Sequence, residues 1–298
     1  MIFGKVGSSR FSCTFWDKRI PNCQFFIFRN IGKGVAEARK LRLLRIHHST
    51  LDDDKVIALL SQMVANENLE ELDFSHCTIG DDGATAIAKF LKGRKKLRSV
   101  NVCNNKIRET GIGALAFVLT QPECSPLDYL DLRLNTFGDA GFKYLASALI
   151  RENAKIQTLI LSCCDLSHES GILLGEMLTR NGVLIDLDVS NNRLGEAAGR
   201  AIDAATSHNK TLQFLDLRMT GVPDECQLNI NRNLHFNRIR GRKGEKGVER
   251  ETRLAEEREK ARKTRHQDSL IPEENRDGEE PLLQVSSKKS VDQEGDRL

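Results

Sequence analysis

An α/β solenoid, with parallel strands stacked side by side and a helix after each, is the fold class the sequence predicts, and three observations predict it. One sentence recurs: LEELDFSHCTIGDDG, LDYLDLRLNTFGDAG and LIDLDVSNNRLGEAAG begin at Leu69, Leu127 and Leu184. Taking the first leucine as position one, units start at Leu41, Leu69, Leu97, Leu127, Ile156, Leu184 and Leu212, in steps of 28, 28, 30, 29, 28 and 28 residues. Such a period marks units that cannot bury an apolar face alone and do so by stacking. Each unit is apolar at positions one, four, six and eleven, as in Leu127, Leu130, Leu132 and Phe137, and then changes to helical spacing.

The first forty residues carry eight basic and two acidic side chains, and six of the thirteen Phe with the single Trp lie within the first 28. GKGVAEARK reads as the end of one more repeat helix, but counting back 28 residues from Leu41 reaches Cys13 in SCTFWDKR, which does not fit. The upstream unit is therefore expected to be broken, and segment 1–40 atypical. Met1–Asn30 reads either as an improvised cap or as the product of an alternative or mispredicted first exon. Its apolar stretch is interrupted by Asp17, Lys18, Arg19 and Pro21, so neither a membrane span nor a signal peptide is expected. Eight cysteines without a C-x-x-C pair give no disulfide framework and no zinc or redox motif. A soluble chain in a reducing, intracellular compartment is expected.

From 41 to 238 the repeat predicts about seven strand and helix pairs of 28–30 residues, strands on the concave side and helices on the convex. Helical spacing covers DDGATAIAKFL, GIGALAFVL, DAGFKYLASAL, GILLGEML and AAGRAIDAA. Gly83, Gly111, Gly141, Gly171 and Gly199 fall near the helix starts, where a missing side chain would let helix and strand layers approach. Asp52, Asp53 and Asp54 fit a helix N-terminus, since carboxylates complement the helix dipole there. A divalent-ion site is the other reading of that triplet.

Position nine holds Ser49, Cys77, Asn105, Asn135, Cys164, Asn192 and Thr220. A buried side chain at the turn after a strand must answer backbone groups that would otherwise be orphaned. Cys77, Asn105, Asn135, Cys164 and Asn192 are accordingly expected to form a structural ladder.

Strand alternation would send positions three, five and seven to solvent on the concave face. Position five reads Arg45, Asp73, Asn101, Asp131, Ile160, Asp188 and Asp216, an acidic column joined by Glu71 and Asp186 at position three. Arg45 and, at position seven, Arg133 and Arg218 oppose it. An exposed acidic strip of this kind would favour a partner with a basic surface. The competing reading is a solvated repeat consensus with no partner.

Segment 239–298 is a charged tail, helix-compatible and then expected to be disordered. Residues 240–265 carry eleven basic and six acidic side chains, and 266–298 four and nine. The basic half could contact tubulin or another acidic surface, or serve as a solvated linker. The tail's lack of aromatic residues argues against binding single-stranded nucleic acid. No phosphate loop, G-x-S-x-G elbow or H-E-x-x-H motif occurs, so no cofactor, catalytic residue or metal is expected. His47 and His48, adjacent on a strand, should face opposite sides and not share a metal.

The spacing with Asn or Cys at position nine resembles the leucine-rich repeat, and the long units with full helices its ribonuclease-inhibitor-like subfamily. Within it, the run RIHHSTLDDDK from Arg45 to Lys55, with LEELDFSHCTIGDDGA and LQFLDLRMTGV, resembles the dynein regulatory complex subunit 5 family, also called the T-complex-associated testis-expressed protein 1 family. That resemblance implies a noncatalytic scaffold in the cytoplasm and cytoskeleton, within the axoneme of the motile cilium and sperm flagellum. It would hold neighbouring dynein regulatory complex subunits there and influence dynein-driven motility, with neither nucleic acid nor membrane as partner. Two alternatives share the repeat: a cytosolic adaptor or inhibitor gripping a globular partner, and an activator of the Ran-type GTPase, for which Arg133 would be the candidate. The Ran-activator family's strongly acidic tail is not matched here.

Overall fold

The computed structural model describes residues 10–13, 21–151 and 154–241. Strands and helices alternate as β1 (Arg10–Cys13), α1 (Pro21–Glu37), β2 (Leu43–Ile46), α2 (Asp53–Gln62), β3 (Glu71–Asp73), α3 (Asp81–Leu91), β4 (Ser99–Asn101), α4 (Glu109–Leu119), β5 (Tyr129–Asp131), α5 (Gly138–Leu149), β6 (Thr158–Ile160), α6 (His168–Arg180), β7 (Asp186–Asp188), α7 (Gly195–His208), β8 (Phe214–Asp216) and α8 (Asp224–Gly241). The strands form one sheet in sequence order, and every neighbouring pair is parallel. Together these elements belong to one unit of the chain, which ends at Gly241; of the tail read as 239–298, residues 239–241 complete α8 and the rest lies outside the described residues.

The repeat register is kept along the sheet. Leu72 pairs with Val100, Val100 with Leu130, Leu130 with Leu159 and Leu159 with Leu187. All are position four, so each aliphatic side chain stacks on its counterpart one unit away. Leu72 and Leu130 are 1% exposed and Leu187 is fully buried, which places the predicted apolar positions in one continuous interior. Burying one such side chain stabilises by about 1.5–3 kcal/mol.

Among the described residues the sheet holds eight strands where about seven units were expected. β1 pairs with β2 from Arg10↔Leu43 to Cys13↔Ile46, an offset of 33 residues where 28 was expected. The upstream unit is therefore a repeat with a longer connection, and its position four falls on Phe11, which packs part-buried against the core.

Helices α2 to α8 begin with acidic first turns, including Asp53 and Asp54 in α2, Asp81 and Asp82 in α3, and Asp139 in α5, whereas α1 does not. Asp52 caps α2 by accepting from the Lys55 backbone N–H, as the sequence suggests. Asp53 does something else: its Oδ1 accepts the Gly80 N–H, the residue that caps α3, at 2.6 Å. Asp81 repeats the pattern one unit on, accepting from Arg108 and Gly111 at 2.8 and 2.9 Å, and Asp139 accepts from the Ser167 N–H and from the Ser167 and Ser170 hydroxyls. In α3 and α4, whose caps Gly80 and Arg108 offer no side-chain acceptor, the preceding unit's carboxylate thus answers N–H groups at the helix start, and in α6 it adds to the Ser167 cap.

At the helix starts, Gly111 and Gly171 face a neighbouring helix, Gly141 faces Phe137 of its own unit and Gly199 faces Val222 and Pro223, which corrects the expectation of helix-to-strand contact. A Cβ on Gly171 would fall on Ala198 of α7, and one on Gly175 would lie 2.8 Å from the Ala201 carbonyl. At the other end of the stack, α8 closes the sheet edge. In the interior, the position-two carbonyl receives N–H groups from the next strand, as Ile185 does from Gln213 and Phe214. On β8 the equivalent Gln213 carbonyl accepts from Arg238 at 2.6 Å, and the Arg238 guanidinium lies 5.5 Å from the Phe214 ring centre.

Candidate functional site

The strand face is built by three rows of side chains, and each row has a different task. Position nine is internal. Asn135 Nδ2 donates to the Val102 and Leu132 carbonyls, both at 2.9 Å, while its Oδ1 accepts the Ile107 N–H at 3.1 Å. Asn105 and Asn192 make the same bonds to their neighbours. Cys77 and Cys164 supply the donor half through weaker thiols: the Cys164 thiol reaches the Leu132 carbonyl at 3.4 Å, and the Cys77 thiol the Ile46 carbonyl at 3.4 Å. Burial pushes both thiols up from their ordinary range, against any reactive role.

Position five is where the structure departs from the sequence reading. Asp131 is fully buried, Asp188 is 4% exposed and Asp216 is 9% exposed, although alternation sends their side chains off the concave side of the strands. Each curls back to accept the backbone N–H two residues on: Asp73 from Ser75, Asp131 from Arg133, Asp188 from Ser190 and Asp216 from Arg218, all within 3.0–3.2 Å. Asn101 does the same with Cys103. This is an Asx turn, which gives the chain leaving the strand an acceptor that no neighbouring strand supplies.

The basic residues expected to oppose this column instead neutralise it. Arg133 Nη2 sits 2.8 Å from Asp131 Oδ2, Arg218 Nη2 2.6 Å from Asp216 Oδ2, and Arg45 Nε 3.4 Å from Asp73 Oδ2. Burial opposes the charge on Arg133, but the charge and hydrogen bond of Asp131, with Cys103 and Tyr129, together raise the guanidinium pKa. With 12% of its side chain exposed and its fork committed to Asp131, Arg133 is not presented for insertion into another protein's active site. The acidic concave strip is thus corrected: Asp131, Asp188 and Asp216 are internal struts. Glu71 lies exposed and Asp186 half-buried on the same face.

What the face does offer is uneven. Position two carries two ion pairs between adjacent strands, Arg42 with Glu70 at 3.6 Å and Arg98 with Asp128 at 3.5 Å. Phe214 at position three is 39% exposed. Position eight runs down the turn edge in the left-handed region: His48, His76, Asn104, Leu134, Cys163, Asn191 and Met219 all have φ between 49° and 56°. Asn tolerates that region, whereas Leu and Met are unusual there. Met219 is also 80% exposed. His48 and His76 stack with ring centres 4.2 Å apart, and Asn104 bonds to His76 at 2.8 Å. His47 meets His48 edge-on, and among the described residues no three His, Cys, Asp or Glu converge on a metal position.

A further row was missed. Asn181 and Asn209 lie three residues ahead of a unit start and tie the helix end to the next strand. Asn181 Nδ2 donates to the Leu149 carbonyl and its Oδ1 accepts from Val183 and Leu184; Asn209 donates to the Leu178 and Asn181 carbonyls. Asn66 and Asn237 bond likewise to the carbonyls of Val35 and Asn209. The signal was present as Asn recurring every 28 residues at 181, 209 and 237.

A family profile described as "Leucine Rich repeat" matches residues 65–88 and 123–146, two stretches that each contain a strand, the position-nine turn and most of a helix. The chain is a leucine-rich repeat protein. Among similar proteins is the "NACHT, LRR and PYD domains-containing protein 14" of Mus musculus, 24% identical over 239 residues, covering 70% of this chain and 24% of that protein. The "NACHT, LRR and PYD domains-containing protein 3" of Rattus norvegicus is 32% identical over 197 residues, covering 56% and 19%. This leucine-rich repeat chain therefore spans about a quarter or less of the relatives' length. The solved "Leiomodin-1 Actin-Binding Site 2 (ABS2)" aligns over 82% of this chain and 99% of that one at 15% identity and a TM-score of 0.27, too loose a superposition to bear on function. No helix of the described residues is long and apolar enough to cross a membrane.

Proposed function

We propose that this leucine-rich repeat protein is a noncatalytic scaffold that presents its strand face and turn edge to other proteins. One observation carries the reading: on a backbone that repeats from unit to unit, the exposed side chains do not repeat. At position three, Glu71, Ser99, Tyr129, Asp186 and Phe214 differ in charge and size while positions one and four stay aliphatic. A rigid, preformed surface of this kind lowers the ordering cost of association. With Asp131, Asp188 and Asp216 internal, a basic partner would be met by Glu71 and Asp186, and an apolar one by Phe214 and Met219.

The finer proposal is a subunit of the dynein regulatory complex in the axoneme of motile cilia and sperm flagella. What supports it is the sequence run Arg45 to Lys55. Much of that run is engaged within the chain, through Arg45 with Asp73, Lys55 with Asp52 and Asp53 with Gly80. Its residues therefore speak to how the repeats stack more than to a partner. Tagged full-length chain in ciliated cells should co-sediment with demembranated axonemes, and Phe214→Asp with Met219→Asp should release it while the circular dichroism spectrum stays that of the native fold. A diffuse signal with no axonemal fraction would refute the axonemal reading, and retention of the double variant would refute the surface.

A further inference from the structure

Between β1 and α1 lies a cavity of about 450 Å³, within the range of roughly 300–1,000 Å³ that holds small-molecule ligands. Phe11, Ile31, Val35 and Leu41 give it an apolar wall. Arg10, Arg39 and Lys40, all three exposed, also line it, while among the described residues the nearby Glu37 does not.

Two glycines on α1 show that the opening is not forced by packing. A Cβ on Gly32 would lie 2.5 Å from the Leu59 carbonyl oxygen, so helix contact demands that glycine. A Cβ on Gly34, which lines the cavity, would meet nothing within 4 Å. Glycine inside a helix is destabilising, and here no neighbour requires it. Its effect is to leave the mouth of the cavity open beside three cations.

An apolar chamber with a cationic rim is complementary to an amphiphile with an anionic head. We propose that this cavity binds a free long-chain carboxylate, its hydrocarbon against Ile31, Val35 and Phe11 and its head group at Arg39 and Lys40. Gly34 admits the chain between them.

The test uses the full-length protein and a dansyl-labelled undecanoic acid as probe, displaced by palmitate, by methyl palmitate, or by phosphatidylserine vesicles. Saturable binding of one equivalent is expected, with palmitate displacing at least about tenfold better than its ester. Arg39→Glu with Lys40→Glu, both at exposed positions, should weaken binding by about tenfold or more. Gly34→Phe should abolish it while keeping or raising the melting temperature, because the ring fills the chamber and the helix loses a glycine. Absence of saturable binding, equal displacement by acid and ester, undiminished binding by either variant, or displacement by vesicles alone would each overturn the proposal. If Gly34→Phe misfolds, the Arg39/Lys40 pair and the ester still decide it.

Discussion

Around β5, the charged and amide side chains leaving the strand are answered from within the stack: Asp131 holds both the backbone and guanidinium of Arg133, and Asn135 bonds to β4 and β5 together. Around β1 the backbone pairing is the same, but Phe11 lies only part-buried beside a cavity, and α1 is held to α2 by apolar contact and by the close fit of Gly32. The difference teaches that backbone register and packed interior are separate achievements. A strand can join the sheet through its ladder alone, whereas a dry, fully bonded unit also needs the right letters at positions four, five, six and nine.

The largest expected contrast comes from apolar truncation. Leu130→Ala should cost about 2–5 kcal/mol, since it opens a void in a closed interior, while Phe11→Ala should cost about 1 kcal/mol or less because the space beside it is already open. Urea unfolding of the two variants measures both, and equal losses would erase the distinction between middle and first unit.

Position nine sharpens the comparison within the middle itself. Asn135→Ala strands two buried carbonyls and one N–H, and a loss of about 2–3 kcal/mol is expected in the same assay. Cys164→Ala removes only weak thiol donation and should cost about 1 kcal/mol. The order Asn above Cys is the outcome to check.

A smaller effect separates the turn edge from the core. Burial, then the neighbouring His48 and Arg133, lower His76 to about 4. An unfolded histidine titrates near about 6.5, so the unfolded chain binds the proton more readily between those values. Stability should fall as pH drops from about 6.5 toward 4, and His76→Asn, which tolerates the left-handed backbone, should flatten that slope. A pH series of melting temperatures reads it. The smallest change is expected for Arg98→Ala, whose exposed pair with Asp128 should contribute no more than about 0.5 kcal/mol.

Positions one, four, six and eleven were legible because apolar periodicity reports burial directly, and position nine because a turn inside a stack has few ways to satisfy its backbone. Other features were hidden for identifiable reasons. β1 was obscured by five extra residues in its connection, which move its partner from an offset of 28 to 33. Asp53 reads as a local helix cap, but its acceptor, like those of Asp81 and Asp139, serves the following helix, a relation visible only when units are stacked. The position-five aspartates misled most. Alternation gives the side on which a side chain leaves the strand, and cannot say that the carboxylate will turn back onto the N–H two residues later.

That last point is the centre of the account, and denaturant unfolding of Asp131→Ala beside Glu71→Ala tests it most directly. Removing Asp131 leaves the largely buried Arg133 charge and a backbone donor unanswered, so a loss of about 3–5 kcal/mol is predicted. Glu71→Ala, on the exposed part of the same face, should stay within about 0.5 kcal/mol of the native chain. Two equally small losses would contradict the account and return Asp131 to the surface as a residue free to meet a partner.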